Sequence, residues 1–301
     1  MEQAESQEIL AHPEQIGVVT TTLYPHYGAT NGDQATIQTL RGDLALRTFV
    51  EAQERGYPVF VSDGGSSKIF LQKLAATGVT MVPKPTGGRA DQKCLLYAHA
   101  HEHPGVQVIC WIEPEKCSMI EDDCMLRAAD PIVRGEADIV VPARDAAGWE
   151  SYPPYQVHSE KNANATYNRL LHTEGMLKDD FDLDHFFGPR LFANTPEMLE
   201  LFSRNFMFVP KETSKVQRLV SVDRYSNSTY FPVVQALAEG RRVHSVTVPF
   251  RLPPEQRAME MEMDTALFNR HRDVQRRTIL TELVHLLKST KNAPSRLQRG
   301  Q

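Results

Sequence analysis

Short runs of apolar and β-branched residues alternate with segments of helical spacing along the first half of the chain. The apolar runs predict strands at 16–25, 57–62, 79–82, 106–112 and 137–141. The segments between them predict helices at 37–55 and 69–77, one that ends near 103, and one at 124–133. Strands that alternate with helices across short connections indicate an α/β fold, with a mostly parallel sheet and helices on both faces.

The alternation becomes less regular beyond Pro142. Residues 143–161 are polar and aromatic and predict a long loop, and loops of that length are often functional. The later pattern predicts helices at 163–171, 196–206 and 230–239, a strand at 242–249, and an amphipathic helix over 259–287.

The composition is that of a globular protein, with 41% hydrophobic and 24% charged residues in a chain of 301. We divide it into a mobile tail (1–14), one α/β domain (15–258), and a C-terminal extension of helix and basic tail (259–301). The net charge of −5 argues against a nucleic-acid partner bound through its phosphates. The chain has no apolar run long enough to span a membrane and no signal peptide, so we expect a cytoplasmic protein. The sequence leaves open whether it is a monomer or a homodimer.

The most informative motif is Glu113-Pro114-Glu115, at the end of the strand predicted over 106–112. Proline stops ladder pairing there, so both carboxylates lie at the carboxyl edge of the sheet, where open α/β sheets bind ligands. Two carboxylates one residue apart can share Mg²⁺ or Mn²⁺, whose remaining positions suit phosphate oxygens. A surface turn with two solvated acids is the alternative interpretation.

Two further loops at the same edge suit a nucleotide. Asp63 ends the second predicted strand, where an aspartate can hold a ribose hydroxyl or a base edge. Gly88 allows close approach of the backbone, and Arg89 at a helix start suits phosphate, with Lys93 one turn later. Together these residues predict a nucleoside-diphosphate pocket with a metal ion on the diphosphate. The chain lacks a dinucleotide fingerprint and a P-loop, which argues against dehydrogenases and NTPases.

Over the greater part of its length, the chain resembles the nucleotide-sugar glycosyltransferases of the GT-A fold, among them mannosylglycerate synthase and related retaining enzymes. Glu113-Pro114-Glu115 stands where this group carries its Asp-x-Asp metal motif, and Gly88-Arg89-Ala90-Asp91 resembles its Gly-Lys-Gly-Asp. The resemblance implies that Arg89 and Asp91 contact the donor nucleotide. The full set of donor-binding candidates is Thr22, Leu23, Asp63, Gly88, Arg89, Asp91 and Lys93.

The same resemblance places acceptor and catalytic residues in the second half of the chain. The stretch 185–192 looks like the acceptor strand of the group, with Arg190 as the acceptor contact. Asp223, before a predicted helix, matches the active-site acid beside the reacting carbon.

The predicted metal ligands differ from those of these glycosyltransferases in two ways. Glutamates at 113 and 115 replace both aspartates, which lengthens each ligand by one methylene. The downstream histidine of the group is missing from the matching stretch 248–256, where Glu255 or Gln256 is the substitute candidate.

These predictions together imply a metal-assisted hexosyltransferase. It would move a hexose from a nucleoside-diphosphate sugar, of the GDP-mannose or UDP-sugar type, to a small hydroxylated acceptor, with the stereochemical outcome left open. One alternative is a sugar-phosphate nucleotidyltransferase, which normally needs a glycine- and arginine-rich loop that this chain lacks after its first strand. The other alternative is a nucleotide-sugar-binding protein without turnover, which the glutamate pair and the missing histidine favour.

Overall fold

The computed structural model describes residues 8–30, 33–86, 88–178, 180–204, 206, 224–262 and 265–292. Within these ranges seven strands form one sheet, in the order β3-β2-β1-β4-β6-β5-β7. The strands are β1 (Ile16–Thr22), β2 (Val59–Asp63), β3 (Thr80–Met81), β4 (Val108–Trp111), β5 (Ile139–Arg144), β6 (Arg190–Ala193) and β7 (Val243–Val248). β6 runs antiparallel to both of its neighbours, and the other pairs are parallel.

Helices cover both faces of the sheet, as the sequence predicted. In the described ranges they are α1 (Asp33–Glu54), α2 (Lys68–Ala76), α3 (Arg89–Glu102), α4 (Ser118–Glu121), α5 (Cys124–Val133), α6 (Ala146–Glu150), α7 (Pro154–Thr173), α8 (Pro196–Ser203), α9 (Arg224–Ala238), α10 (Pro254–Glu262) and α11 (Thr265–Asn292). Single turns of 3-10 helix lie at Pro13–Gln15 and His185–Phe187.

Alternate residues of the central strands point into two separate hydrophobic cores, one on each face of the sheet. Val18 and Cys110, paired across β1 and β4, belong to the core that α1, α2 and α5 cover. Val19 and Trp111, the next pair along, face the core beneath α3, α7, α8, α9 and α11. A strand buried on both faces reads as a continuous apolar run, which is why β1 and β4 were predictable from the sequence.

The prediction of a long loop over 143–161 is wrong, because α6 and most of the first half of α7 occupy it. Pro154 stands at the first position of α7, where proline favours a helix start. The part of α7 within 154–161 buries only the polar residues Gln156, Ser159 and Glu160, so it gave no apolar periodicity. The rest of the helix buries Ala163, Tyr167 and Leu171 beside Asn164 and Asn168, and a helix was predicted there, over 163–171.

The two ends of the described chain pack against the α/β core. The backbone N–H groups of Leu10 and Ala11 donate to the Asp130 carboxylate, at 2.6 and 3.2 Å. At the other end, Ile279 and Leu283 of α11 are fully buried in the core that α9 and α7 also line. No helix in the described ranges is both long and apolar enough to cross a membrane.

Candidate active site

A cavity of about 250 Å³ opens at the carboxyl ends of β1 and β4. The two strands are adjacent and parallel, so the segments that follow them meet at one edge of the sheet. The structure therefore brings the predicted residues Thr22 and Leu23 together with Glu113 and Glu115. The complete lining is Thr21, Thr22, Leu23, Tyr24, Ile37, Gln38, Arg41, Gly64, Gln92, Glu113, Pro114 and Glu115.

Glu115 is the more deeply anchored of the two carboxylates, with a side chain only 5% exposed. Its Oε1 accepts hydrogen bonds from the Tyr24 hydroxyl and from Nε of Arg41, each at 2.8 Å. The charge of Glu115 raises the pKa of the Arg41 guanidinium above its ordinary value. These two donors offset the cost of burying the carboxylate. In the described ranges nothing donates to the second oxygen, Oε2.

Glu113 lies with its carboxylate against the backbone of Gly188. A methyl group at Gly188 would overlap both carboxylate oxygens and would lie 2.7 Å from Cδ of Glu113. The φ angle of Gly188 is +106°, a conformation open to glycine. Oε2 of Glu113 is buried and accepts no hydrogen bond from the described residues. Its nearest cation among the described residues is Nζ of Lys116, at 3.9 Å.

The two carboxylates are candidate ligands for a divalent cation. Each has one oxygen that no described residue hydrogen-bonds, and hard divalent cations prefer carboxylate oxygens. No third His, Cys, Asp or Glu completes a metal-binding group within the described residues. Gln256, the predicted third ligand, lies on α10 and donates its amide to Glu260 at 2.9 Å. It is not among the residues that line the cavity.

Asp63 organises the turn at the rim of the cavity. Its carboxylate accepts hydrogen bonds from the Thr22 hydroxyl and from the backbone N–H groups of Gly65 and Ser66, each at 2.8 Å. The Ser66 hydroxyl donates to it as well. This use of the carboxylate holds the end of β1 beside the end of β2, where Thr22 pairs with Asp63.

The other donor candidates lie along α3. Gly88 caps the helix and donates its N–H to Asp91 Oδ2 at 2.8 Å. Lys93 is fully buried, with Nζ hydrogen-bonded to the Thr229 hydroxyl and 4.2 Å from the Trp111 ring centre. Position 93 shares a helix face with apolar positions one turn later, which places Lys93 in the interior instead of the cavity. The side chain of Arg89 lies outside the described part of the structure.

Gln92 and Arg41 are among the residues of the cavity wall that had not been predicted from the sequence. Gln92 is 2% exposed, and its Nε2 lies 3.4 Å from the backbone oxygen of Asp63. Arg41 lies on α1, in a largely polar segment. A charged residue in such a segment is typical of a solvated helix face. The sequence carries no signal for the contact of Arg41, whereas Gln92 directly follows the Gly88-Arg89-Ala90-Asp91 motif, which was predicted at the same edge.

Arg190 begins β6, opposite Trp111 in the antiparallel pair, and is fully buried. Its two terminal nitrogens donate to the backbone oxygens of Pro189 and His185, at 2.7 and 2.6 Å. Burial lowers the pKa of the Arg190 guanidinium. Its Nε donates to no described residue. Asp223, the predicted active-site acid, lies outside the described residues.

The segment that leads to Gly188 is anchored by a buried ion network around Arg144, at the end of β5. The Arg144 side chain is 1% exposed and bonds Asp184 through Nε and one terminal nitrogen, at 2.8 and 2.9 Å. Its other terminal nitrogen bonds Glu160 at 2.7 Å. Asp184 directly precedes the 3-10 turn at His185–Phe187, so the network fixes the start of that segment.

Replacement of Arg144 by methionine is expected to lower the free energy of unfolding by roughly 3–5 kcal/mol, because two buried carboxylates lose their cation. Urea denaturation measures the change. The control is Arg242→Met, since Arg242 pairs with Asp138 at the surface, where an ion pair stabilises little. Equal losses in the two variants would contradict a structural role for the buried network.

Solved structures of glucosyl-3-phosphoglycerate synthase from Mycobacterium tuberculosis are similar to this chain. A complex of that enzyme with Mn²⁺, UDP and glucosyl-3-phosphoglycerate gives a TM-score of 0.51 at 11% identity, over 91% of this chain and 80% of that one. Another structure of the enzyme gives 0.52 at 10% identity, over 91% and 81%. A complex with Mg²⁺ and UDP gives 0.50 at 12% identity, over 91% and 80%.

The chain has the GT-A fold. The predicted fold class is thereby confirmed. No protein-family model matches the sequence, and no curated protein sequence matches it significantly.

Proposed function

We propose that the protein is a glycosyltransferase that moves a hexose from a nucleoside-diphosphate sugar to a small hydroxylated acceptor. The observation that carries the proposal is the cavity at the ends of β1 and β4. There, two carboxylates with unbonded oxygens face the same space as a half-exposed arginine, at the edge where α/β folds bind nucleotides.

The similar structures support the choice of substrate class. The Mycobacterium tuberculosis enzyme has been crystallised with Mn²⁺, UDP-glucose and phosphoglyceric acid, in a structure that gives a TM-score of 0.50 at 12% identity. We therefore propose a nucleoside-diphosphate hexose as the donor and a small hydroxylated acid as the acceptor.

In this proposal Glu113 and Glu115 hold Mg²⁺ or Mn²⁺ through their unbonded oxygens. When bound, the cation supplies the positive charge that stabilises the departing diphosphate. Glu113 is pressed against Gly188, which fixes the direction of its carboxylate. Thr22 and Leu23 line the wall of the cavity. Gln256 stays the proposed third ligand through its amide oxygen, which requires the side chain to turn into a cavity that it does not line in this structure.

The sugar and acceptor side is proposed to involve Arg190 and Asp223. Arg190 is held by two backbone oxygens, so it contributes a fixed positive charge at the start of β6, and this charge interacts with Glu113. Asp223 is proposed as the acid beside the reacting carbon. Asp91, Arg89 and Gly88 are proposed to form the donor wall at the start of α3, beside Gln92.

Donor hydrolysis in the absence of acceptor tests the proposed function. The full chain is incubated with UDP-hexoses and GDP-mannose in the presence of Mn²⁺ or Mg²⁺, and the products are separated by chromatography. We expect one donor to yield free sugar and nucleoside diphosphate. Formation of nucleoside triphosphate from that donor and pyrophosphate would identify a nucleotidyltransferase instead. Nucleotide binding without any product would identify a binding protein.

A further inference from the structure

Arg41 is the one cationic side chain among the described residues that line the cavity. Its side chain is 47% exposed, and only Nε is used, in the hydrogen bond to Oε1 of Glu115. The two terminal nitrogens donate to no described residue. The guanidinium is therefore oriented by one bond while its other two nitrogens are accessible from the cavity.

The next two arginines along the chain behave differently. Arg47 gives Nε and a terminal nitrogen to Glu121, at 2.6 and 2.8 Å. Arg55, just beyond α1, uses Nε and both terminal nitrogens, on Glu51, Asp123 and the backbone oxygen of Glu121. Both of these guanidinium groups are engaged by the protein itself, which leaves Arg41 as the residue with unused donors.

The charges of the cavity show what the unused donors suit. Glu113 and Glu115 make the wall anionic, and an anionic nucleotide would meet repulsion there. A guanidinium presents parallel N–H groups that match the oxygens of a phosphate. Glu115 holds Nε, so the free pair of nitrogens is already oriented before a ligand arrives.

We propose that Arg41 binds the diphosphate of the donor through its two terminal nitrogens, while Nε stays on Glu115. The proposal rests on the function proposed above. Glu115 then has two tasks: its Oε1 orients Arg41, and its Oε2 faces the cation. Tyr24, in the loop after β1, donates to the same Oε1 and so also holds the carboxylate. The expected ligand is a nucleoside diphosphate, and it should bind more tightly than the same nucleoside without phosphates.

Calorimetry with a nucleoside diphosphate and its parent nucleoside, both with Mg²⁺, tests the role of Arg41. UDP with uridine and GDP with guanosine are the probes, and the pair that wild-type protein binds is used throughout. In Arg41→Gln the nucleoside diphosphate is expected to bind roughly ten- to hundred-fold more weakly, because two charged hydrogen bonds are lost. Affinity for the nucleoside is expected to be unchanged. Arg47→Gln, on the same helix but outside the cavity, is the matched control and should change neither affinity.

An Arg41→Gln variant that binds the diphosphate as tightly as wild type would overturn the proposal. An equal loss of diphosphate and nucleoside affinity would overturn it as well, since that result indicates damage to the whole cavity. If Arg41→Gln does not fold, Arg41→Lys decides by the same comparison, because lysine keeps the charge but loses the paired nitrogens. Absence of any nucleotide binding by wild-type protein would instead refute the proposed function itself.

Discussion

Glu113→Gln is expected to reduce donor hydrolysis and transfer by roughly a hundred-fold or more, while the protein stays folded. The variant removes the charge of a carboxylate whose buried oxygen no described residue bonds. Glutamine has the same shape, so its contact with Gly188 is retained. A small loss of stability is expected, since the ion pair with Lys116 is long, at 3.9 Å, and the interaction with Arg190 involves no hydrogen bond between the two side chains. The rate of nucleoside diphosphate release, measured over a range of Mn²⁺ concentrations, gives the effect.

Glu121→Gln is the control for this variant. Glu121 ends α4 and bonds Arg47 outside the cavity, so its replacement should leave the rate of release unchanged. A wild-type rate in Glu113→Gln would contradict the assignment of Glu113. Activity that a chelator does not affect would contradict the metal-assisted mechanism.

Gly188→Ala is expected to cost about 3 kcal/mol or more of stability and to abolish most activity. Two effects add: a φ of +106° is strained for alanine, and the new methyl group overlaps the carboxylate of Glu113. The carboxylate must move, which displaces the proposed cation ligand. Urea denaturation and the rate of nucleoside diphosphate release measure the two losses separately.

Gly240→Ala measures the cost of alanine at a positive φ where no side chain is overlapped. Gly240 also has a positive φ, +70°, but a methyl group there would meet no atom within 4 Å. We expect about 1–2 kcal/mol of destabilisation and unchanged activity. In a Glu113→Ala background, the cost of Gly188→Ala should fall towards that of Gly240→Ala, because the overlapping carboxylate is gone. An unchanged cost in that background would show that the carboxylate is not what Gly188 accommodates.

The parts of the fold that could be predicted are those that a short stretch of sequence marks by its own pattern. β1 and β4 are buried on both faces and read as continuous apolar runs. The turn at Glu113-Pro114-Glu115 was placed at a sheet edge because proline cannot continue the ladder. The first part of α7, up to residue 161, was missed because its buried residues are polar, with Glu160 bonded to Arg144, and no apolar period marks such a segment. The antiparallel direction of β6 within the sheet also has no local signal.

Only the site residues that stand at the ends of adjacent predicted strands could be predicted to lie close together. Thr22, Leu23, Glu113 and Glu115 meet because they follow adjacent strands, and the α/β pattern implied that edge. The partner of Glu115 could not be found in this way, since Arg41 is 74 positions away and looks like a solvated helix residue. The interior position of Lys93 did have a signal, because it shares a helix face with the buried residues Leu96 and Tyr97.

The central claim is that the cavity between β1, α1 and Glu113-Pro114-Glu115 holds the donor diphosphate with its cation. A crystal structure of the chain with Mn²⁺ and the preferred nucleoside diphosphate tests it most directly, because manganese is located by its anomalous signal. The account predicts Mn²⁺ at bonding distance from Glu113 and the diphosphate beside Arg41. Mn²⁺ and nucleotide bound away from both Glu113 and Arg41 would contradict it.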